Sequence, residues 1–239
     1  MKYLDLTFTD PAQNLACDEA LLTLCETEQI DAALLRVWQP ANHFVVLGHS
    51  NRLRAEVDVE YCCAAGVPVL RRISGGGTVL QGPGCLNYSL ILDSRIFPVA
   101  SIGVAFDFVL QRHRQLMENL KGAKTRIDGV SDLTAGGRKF SGNSQYRKKN
   151  YVLVHGTFLL NFDLSLIEHC LRMPERQPEY RLNRSHKEFV ANLQLSAGEV
   201  RRGLIEAWNA TERFESLPSA LIDEISVRRY RRVSWTEKF

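Results

Sequence analysis

"SDLTAGGRKFSGNSQYRKKNYVLVHGTFLLNF", residues 131 to 162, decides the fold class. Gly136 and Gly137 separate one pair of strand-like runs, and Lys148 to Asn150 separate the next, so the stretch reads as two successive hairpins. Working outward, "CLNYSLILD" (85–93) alternates as a further strand, and "VPVLRR" delivers a strand to residue 72. "ALLRVW" and "HFVVLG" are short β-type runs on either side of a "QPAN" turn. Helical spacing is gathered in separate blocks. Asp10 and Pro11 open a helix through "AQNLACDEALLTLCETEQ", with an N-cap and a first-turn proline. "EVDVEYCCAAG" is a short helix closed by Gly66, and "PVASIGVAFDFVLQRHRQLMENLKG" is the longest helical pattern, closed by Gly122. After Asp163 the pattern is helical and irregular, ending in "GEVRRGLIEAW" and "SALIDEISVRRY". Hairpins joined to blocks of helix define an α+β class rather than βαβ winding.

The 239 residues are 45% hydrophobic and 24% charged, an ordinary soluble composition. No apolar run is long enough to span a bilayer, and "MKYLDLTFTD" places acidic residues where a signal peptide has its apolar core. The expectation is a cytoplasmic protein with no membrane contact. Six cysteines (Cys17, Cys25, Cys62, Cys63, Cys85, Cys170) make no CxxC pair and no zinc-type spacing, which suits reduced, mostly buried thiols. A net charge of +3 argues against broad nucleic-acid binding. The local "RRYRR" patch, Arg228 to Arg232, reads as a solvated helix face or a contact for an acidic protein.

Chemistry concentrates first in "VLRRISGGGTVLQGPGC" (69–85). It fits neither GxGxxG nor GxxxxGK[ST], and a strand, not a helix, follows. Two readings stand: a glycine-rich turn with surface arginines, or a nest of backbone N–H groups for an anion. Strand alternation sends Arg71 and Arg72 to opposite faces, so one of them faces such a site. A second cluster, "GGRKFSGNSQYR", sets Lys139 among the small residues Gly142 and Ser144. Such a lysine reaches both a phosphate and a neighbouring carbonyl, unless it is a solvent-facing residue of an edge strand. His155 precedes a glycine in an apolar strand, where a structural histidine is the ordinary outcome. The Asp132 carboxylate suits Mg²⁺ beside nucleotide phosphates.

Taken in order, "RRISGGGTV", "SDLTAGGRKFSGNSQ" and "HGTFLLNFDL" resemble the lipoate–protein ligase A family, as do "NLACDEALL" and "LLRVWQP…VVLG". The resemblance runs from about Asn14 to Leu164. It implies the catalytic-domain fold shared with biotin–protein ligases, a large mixed sheet with a smaller sheet and packed helices. That domain would occupy residues 1–195, with 196–239 a C-terminal helical segment or reduced accessory piece. The implied reaction has two steps. Lipoate or octanoate attacks the α-phosphate of ATP, with Mg²⁺, to give acyl-AMP. A lysine of a lipoyl-carrier domain, of the 2-oxoacid dehydrogenase or glycine-cleavage H type, then takes the acyl group.

Matched position by position, Arg72 is the family arginine that contacts the nucleotide phosphates. Gly77, Thr78, Val79 and Leu80 line the acyl-adenylate, and Lys139 binds both phosphate and acyl carbonyl. Asp132 is the aspartate near the metal, although the family's "RND" triplet is "VSD" here. Ser74, Gly75, Gly76, Gly142, Ser144 and His155 complete the implied binding set. Both steps build negative charge on oxygen, which fixed cations and N–H donors stabilise.

Three departures qualify the resemblance. The family's paired histidines are Val154-His155 here. "TVLQGPGCLNY" also looks like the octanoyltransferase pattern T-Y-H-G-P-G-Q, with Gln81 in the histidine's place. Octanoyltransferases carry the acyl group from acyl carrier protein on a cysteine thioester. Cys85 and Cys170 are the candidate nucleophiles, and either would need its pKa lowered by Lys139 or His155. Finally, about 75 residues follow Leu164, fewer than a full accessory domain needs, so a catalytic half served by a separate accessory chain is a further alternative. A non-catalytic binding protein is a third class, against which the intact Arg72, glycine run and Lys139 count.

Overall fold

The computed structural model describes residues 1–239. Its strands are β1 (Lys2–Asp5), β2 (Leu34–Trp38), β3 (Phe44–Leu47), β4 (Val69–Arg71), β5 (Val79–Gln81), β6 (Cys85–Asp93), β7 (Thr125–Asp128), β8 (Asp132–Ala135), β9 (Arg138–Arg147), β10 (Tyr151–Leu159) and β11 (Glu212–Arg213). Both hairpins of residues 131–162 form. Gly136 and Gly137, at φ of 57° and 73°, make the β8–β9 turn with the left-handed pair that a tight hairpin favours.

Eight strands lie in the order β11-β1-β2-β6-β10-β9-β8-β7, and three in the order β4-β3-β5. The large sheet is mixed, with β1 parallel to β2 and β11 and the remaining pairs antiparallel. This is the large mixed sheet and smaller sheet that the resemblance implies. The "QPAN" turn does not close a hairpin, because β2 and β3 enter different sheets. Strands β1, β7 and β11 were not read from the sequence. Each has only two to four residues, too few to display alternation.

Helices cover both faces of the large sheet. On one face the Ile102–Lys121 and Ala197–Ala207 helices pack on Leu35, Leu86, Leu90 and Val154. On the other, the Pro11–Glu26 helix, capped by Asp10 accepting from the Ala12 N–H at 2.9 Å, packs on Leu34, Ile91 and Leu153. A third cluster, with Val45, Leu47 and Leu80, fills the space between the small sheet and the Ser165–Cys170 helix. Residues 196–239 enter these cores. Val200, Leu204 and Trp208 join the first, and Phe214, Ile222, Ile225 and Tyr230 the second. Three of the four arginines in the basic patch pair within the chain: Arg228 with Glu224, Arg229 with Glu19 and Arg231 with Asp10.

Candidate active site

A cavity of about 480 Å³ lies between the inner face of the small sheet and the large sheet. The glycine turn after β4 forms one wall, and Arg72 holds that turn together. Its Nε donates to Ser74 Oγ at 3.0 Å, and its terminal nitrogens donate to the carbonyls of Gly77 (2.9 Å), Val46 (3.3 Å) and Gly75. Burial pushes its pKa down to about 10, against the favourable field of Glu56. Gly76 sits at φ 85°, and a side chain at Gly48 would stand 2.0 Å from the Gly76 carbonyl oxygen, so the two backbones touch.

The two arginines separate as alternation requires. Arg72 lines the cavity, whereas Arg71 is fully buried elsewhere. Arg71 donates to the carbonyls of Gly48, His49, Asn51 and Thr236, and Trp235 donates back to the Arg71 carbonyl at 2.8 Å. It fastens the last residues of the chain to the small sheet.

Lys139 reaches the opposite wall through a β-bulge. Leu133 pairs with Ser141 but Thr134 pairs with Lys139, so Phe140 is an extra residue in β9 and packs into the first core. Strict alternation would group Lys139 with Ser141 and Asn143. The bulge instead puts it on the face of Gly142 and Ser144, where bulges beside functional sites commonly re-aim a side chain. A Cβ on Gly142 would lie 2.8 Å from both Cε and Nζ of Lys139, so the glycine is the recess that holds the ammonium. Nζ pairs with Asp132 Oδ1 at 2.8 Å, and the Tyr180 hydroxyl donates to Asp132 Oδ2 at 2.6 Å.

A polar row crosses the same face: Arg36 on β2, Ser89 on β6, His155 on β10 and Ser144 on β9 are successive cross-strand partners. His155 Nε2 lies 2.6 Å from Ser74 Oγ, and Ser144 donates to the Gly75 carbonyl at 2.8 Å, tying the row to the turn. Asp18, from the Pro11–Glu26 helix, pairs with Arg36 at 2.7 Å and accepts from Ser89 at 2.6 Å. Burial alone would raise its pKa. The Arg36 charge and the hydrogen bonds outweigh that and hold the carboxyl below the usual range.

Arg72, Gly76, Gly77, Thr78, Val79 and Leu80 of the sequence-based set line the cavity, as do Asp132, Lys139, Gly142, Ser144 and His155. Ser74 and Gly75 stand behind the wall as partners of Arg72, His155 and Ser144. The candidate nucleophiles are corrected. Cys85 and Cys170 are buried in the third core and neither lines the cavity. Burial pushes Cys85 up to about 12 and raises Cys170 as well, the reverse of thiolate activation.

No group of three or more His, Cys, Asp and Glu residues converges to hold a metal. Asp132 offers a single carboxylate, a donor that fits an Mg²⁺ carried in on nucleotide phosphates and not a caged ion. Sequence reasoning missed Asp18, Glu56 and Tyr180. Glu56 accepts from Asn51 at 2.7 Å and from the Thr78 N–H at 3.2 Å, bracing the end of the glycine turn. It also missed Arg172, Arg176 and Arg181, which bring positive charge to the far wall from a stretch read only as irregular.

A large mixed sheet facing a small one across this cation-lined cavity is the architecture of a lipoate-ligase catalytic domain. Residues 10–206 match the family described as the lipoyl protein ligase A/B catalytic domain, and the chain belongs to that family. It is similar to lipoate–protein ligase 1 of Staphylococcus aureus, 30% identical over 197 residues, covering 81% of this chain and 57% of that protein. The chain thus spans little more than half of that relative's length. It is similar also to lipoate-protein ligase A subunit 1 of Thermoplasma acidophilum, 25% identical over 232 residues, covering 88% and 87% of the two chains. A solved lipoate-protein ligase A bound with ATP superposes at a TM-score of 0.82 and 25% identity, covering 99% of this chain and 98% of that one.

Proposed function

We propose that this chain activates lipoate, or octanoate, with ATP and transfers the acyl group to a lysine of a lipoyl-carrier domain. Lys139 carries the reading: a single ammonium in a glycine recess, on the cavity wall opposite the arginine-held turn. In the first step an oxygen of the acid's carboxylate forms a bond to the α-phosphorus, and the bond to pyrophosphate breaks. Lys139 exchanges Asp132 for the α-phosphate and acyl oxygens, where its three donors serve both. In the second step the carrier's ε-amine attacks the acyl carbon and AMP leaves. The same ammonium stabilises the charge gathering on the carbonyl oxygen. Mg²⁺ would enter with the nucleotide, with Asp132 the carboxylate at hand.

A thiol route has no support in the cavity, since neither candidate cysteine lines it. A division of labour between two chains does have support, because the Thermoplasma relative is named as a subunit and is covered almost end to end. The acceptor is of the 2-oxoacid dehydrogenase or glycine-cleavage H type in this reading. The six unpaired cysteines agree with a cytoplasmic setting, and no helix is long and apolar enough to cross a membrane. The test is lipoate-dependent release of pyrophosphate from ATP, with transfer from supplied lipoyl-AMP to a carrier domain measured beside it. Both activities are expected. Transfer alone would assign adenylation to an added accessory chain, and loss of both would overturn the proposal.

A further inference from the structure

The bulge that aims Lys139 weakens the strand beside it. β8 and the edge strand β7 join the large sheet through the β8–β9 ladder, and that ladder is interrupted between Leu133 and Thr134. Asp132, which holds the Lys139 ammonium, is the first residue of β8 and lies on the shorter side of the break. Main-chain pairing there consists of Asp132 with Gly142 and Leu133 with Ser141. Two side-chain bonds extend it. Ser131, the last residue of the β7–β8 turn, donates through Oγ to the Asn143 carbonyl at 2.8 Å. Asn143 Nδ2 donates in return to the Ser131 carbonyl at 2.7 Å. The pair makes one more rung just beyond the point where the ladder stops.

The Asn143 carboxamide is itself anchored. Its Oδ1 accepts from the Tyr88 hydroxyl at 2.7 Å and from Ser141 Oγ at 3.3 Å. Tyr88 is 1% exposed in the first core, with its ring centroid 4.4 Å from that of His113 and 5.5 Å from that of Phe158. Register explains how a side chain of β9 reaches β6. Tyr88, Gly156 and Asn143 are successive cross-strand partners on β6, β10 and β9. A side chain at Gly156 would collide with Asn143 Oδ1, so the bare backbone of β10 is the gap that the carboxamide crosses. The glycine of "HGTF" thereby has a duty separate from making room for a ligand.

We propose that Asn143 is a positioning residue: anchored to Tyr88 across Gly156, it pins Ser131 and holds the Asp132 carboxylate in place while the Lys139 ammonium passes to the substrate oxygens. This rests on the ligase reading above and adds what keeps the carboxylate fixed during that exchange. Without the rung the start of β8 frays, the carboxylate follows the ammonium, and the ion pair stays closed. Small displacements of this kind are costly where a cation must meet oxygens in one geometry. The carboxamide oxygen and nitrogen of Asn143 both bond within the protein, so the residue acts through Asp132 and not on the substrate.

Two measurements on the whole chain test this. Amide hydrogen exchange needs no substrate: in Asn143→Ala, residues 129–135 should exchange roughly tenfold or more faster, while residues 152–158 keep their protection and report that the variant is folded. A double-mutant cycle on lipoate-dependent pyrophosphate release then reads the coupling to Asp132. Asn143→Ala should lower kcat roughly tenfold and Tyr88→Phe roughly threefold, with KM for lipoate within about twofold of wild type. In an Asp132→Ala background the same two changes should each cost less than about twofold. Where the chain alone only transfers, the cycle is run on transfer from supplied lipoyl-AMP. Equal losses with and without Asp132, or unchanged exchange in residues 129–135, would overturn the inference and leave the ligase proposal standing. A wild type inactive in both assays would overturn both.

Discussion

The glycine turn after β4 and the ledge of β9 each bring one cation to the cavity, and they hold it by opposite means. Arg72 is enclosed by Ser74 Oγ and the carbonyls of Gly75 and Gly77, all in the glycine turn that follows it, and by the Val46 carbonyl of β3. Lys139 is held by one carboxylate at 2.8 Å and by a hollow that a single methyl group would fill. A guanidinium with four of its five N–H donors committed to the wall shapes it, whereas an ammonium with one exchangeable partner is free to serve a substrate. Equal charge therefore carries unequal duty.

Removing the exchangeable cation gives the largest effect. Lys139→Ala should lower lipoate-dependent pyrophosphate release by about 100- to 1000-fold, roughly 3–4 kcal/mol of transition-state stabilisation. Thermal stability should change little, since the residue is partly exposed. A mild loss of rate would erase the contrast between the two walls. Arg72→Lys should act the other way. A lysine keeps the charge but lacks the planar fork, so at least one turn carbonyl loses its donor. The expected loss is about 2 kcal/mol of folding stability, on the order of 4–8 °C in Tm. Scanning calorimetry on the purified variant reads it directly.

Much of this contrast was legible in the residues themselves. Alternation along "VPVLRR" sufficed to send one arginine to the cavity, and Gly136-Gly137 sufficed to fix the hairpin that carries Lys139. The face of Lys139 was not legible. It depends on Phe140 being squeezed out of register by the core beneath β9, a tertiary event that no local pattern announces. Asp18 and Tyr180 were hidden for a similar reason. Asp18 is one carboxylate in a helix more than a hundred residues from His155, and Tyr180 sits in a stretch without periodicity. Cys85 and Cys170 are the buried thiols that the cysteine pattern suits, and closeness in sequence to the GPG turn does not bring Cys85 to the cavity. Cys85 points into the third core from the first position of β6.

Gly142→Ala is the smallest change and the sharpest probe of the ledge. The added methyl would stand 2.8 Å from the end of the Lys139 side chain, a flexible group that moves aside at little cost to folding. Gly142 also has no left-handed backbone to strain, since it is absent from the glycines at positive φ. The displaced ammonium would still pair with Asp132, but from a position shifted away from the substrate oxygens. A loss of about tenfold in the rate of adenylation, near 1.4 kcal/mol, is expected with Tm held within a few degrees. Full activity in this variant would show that the lysine works from somewhere other than its recess. Collapse of the fold would show that the ledge, like the turn, is part of the frame.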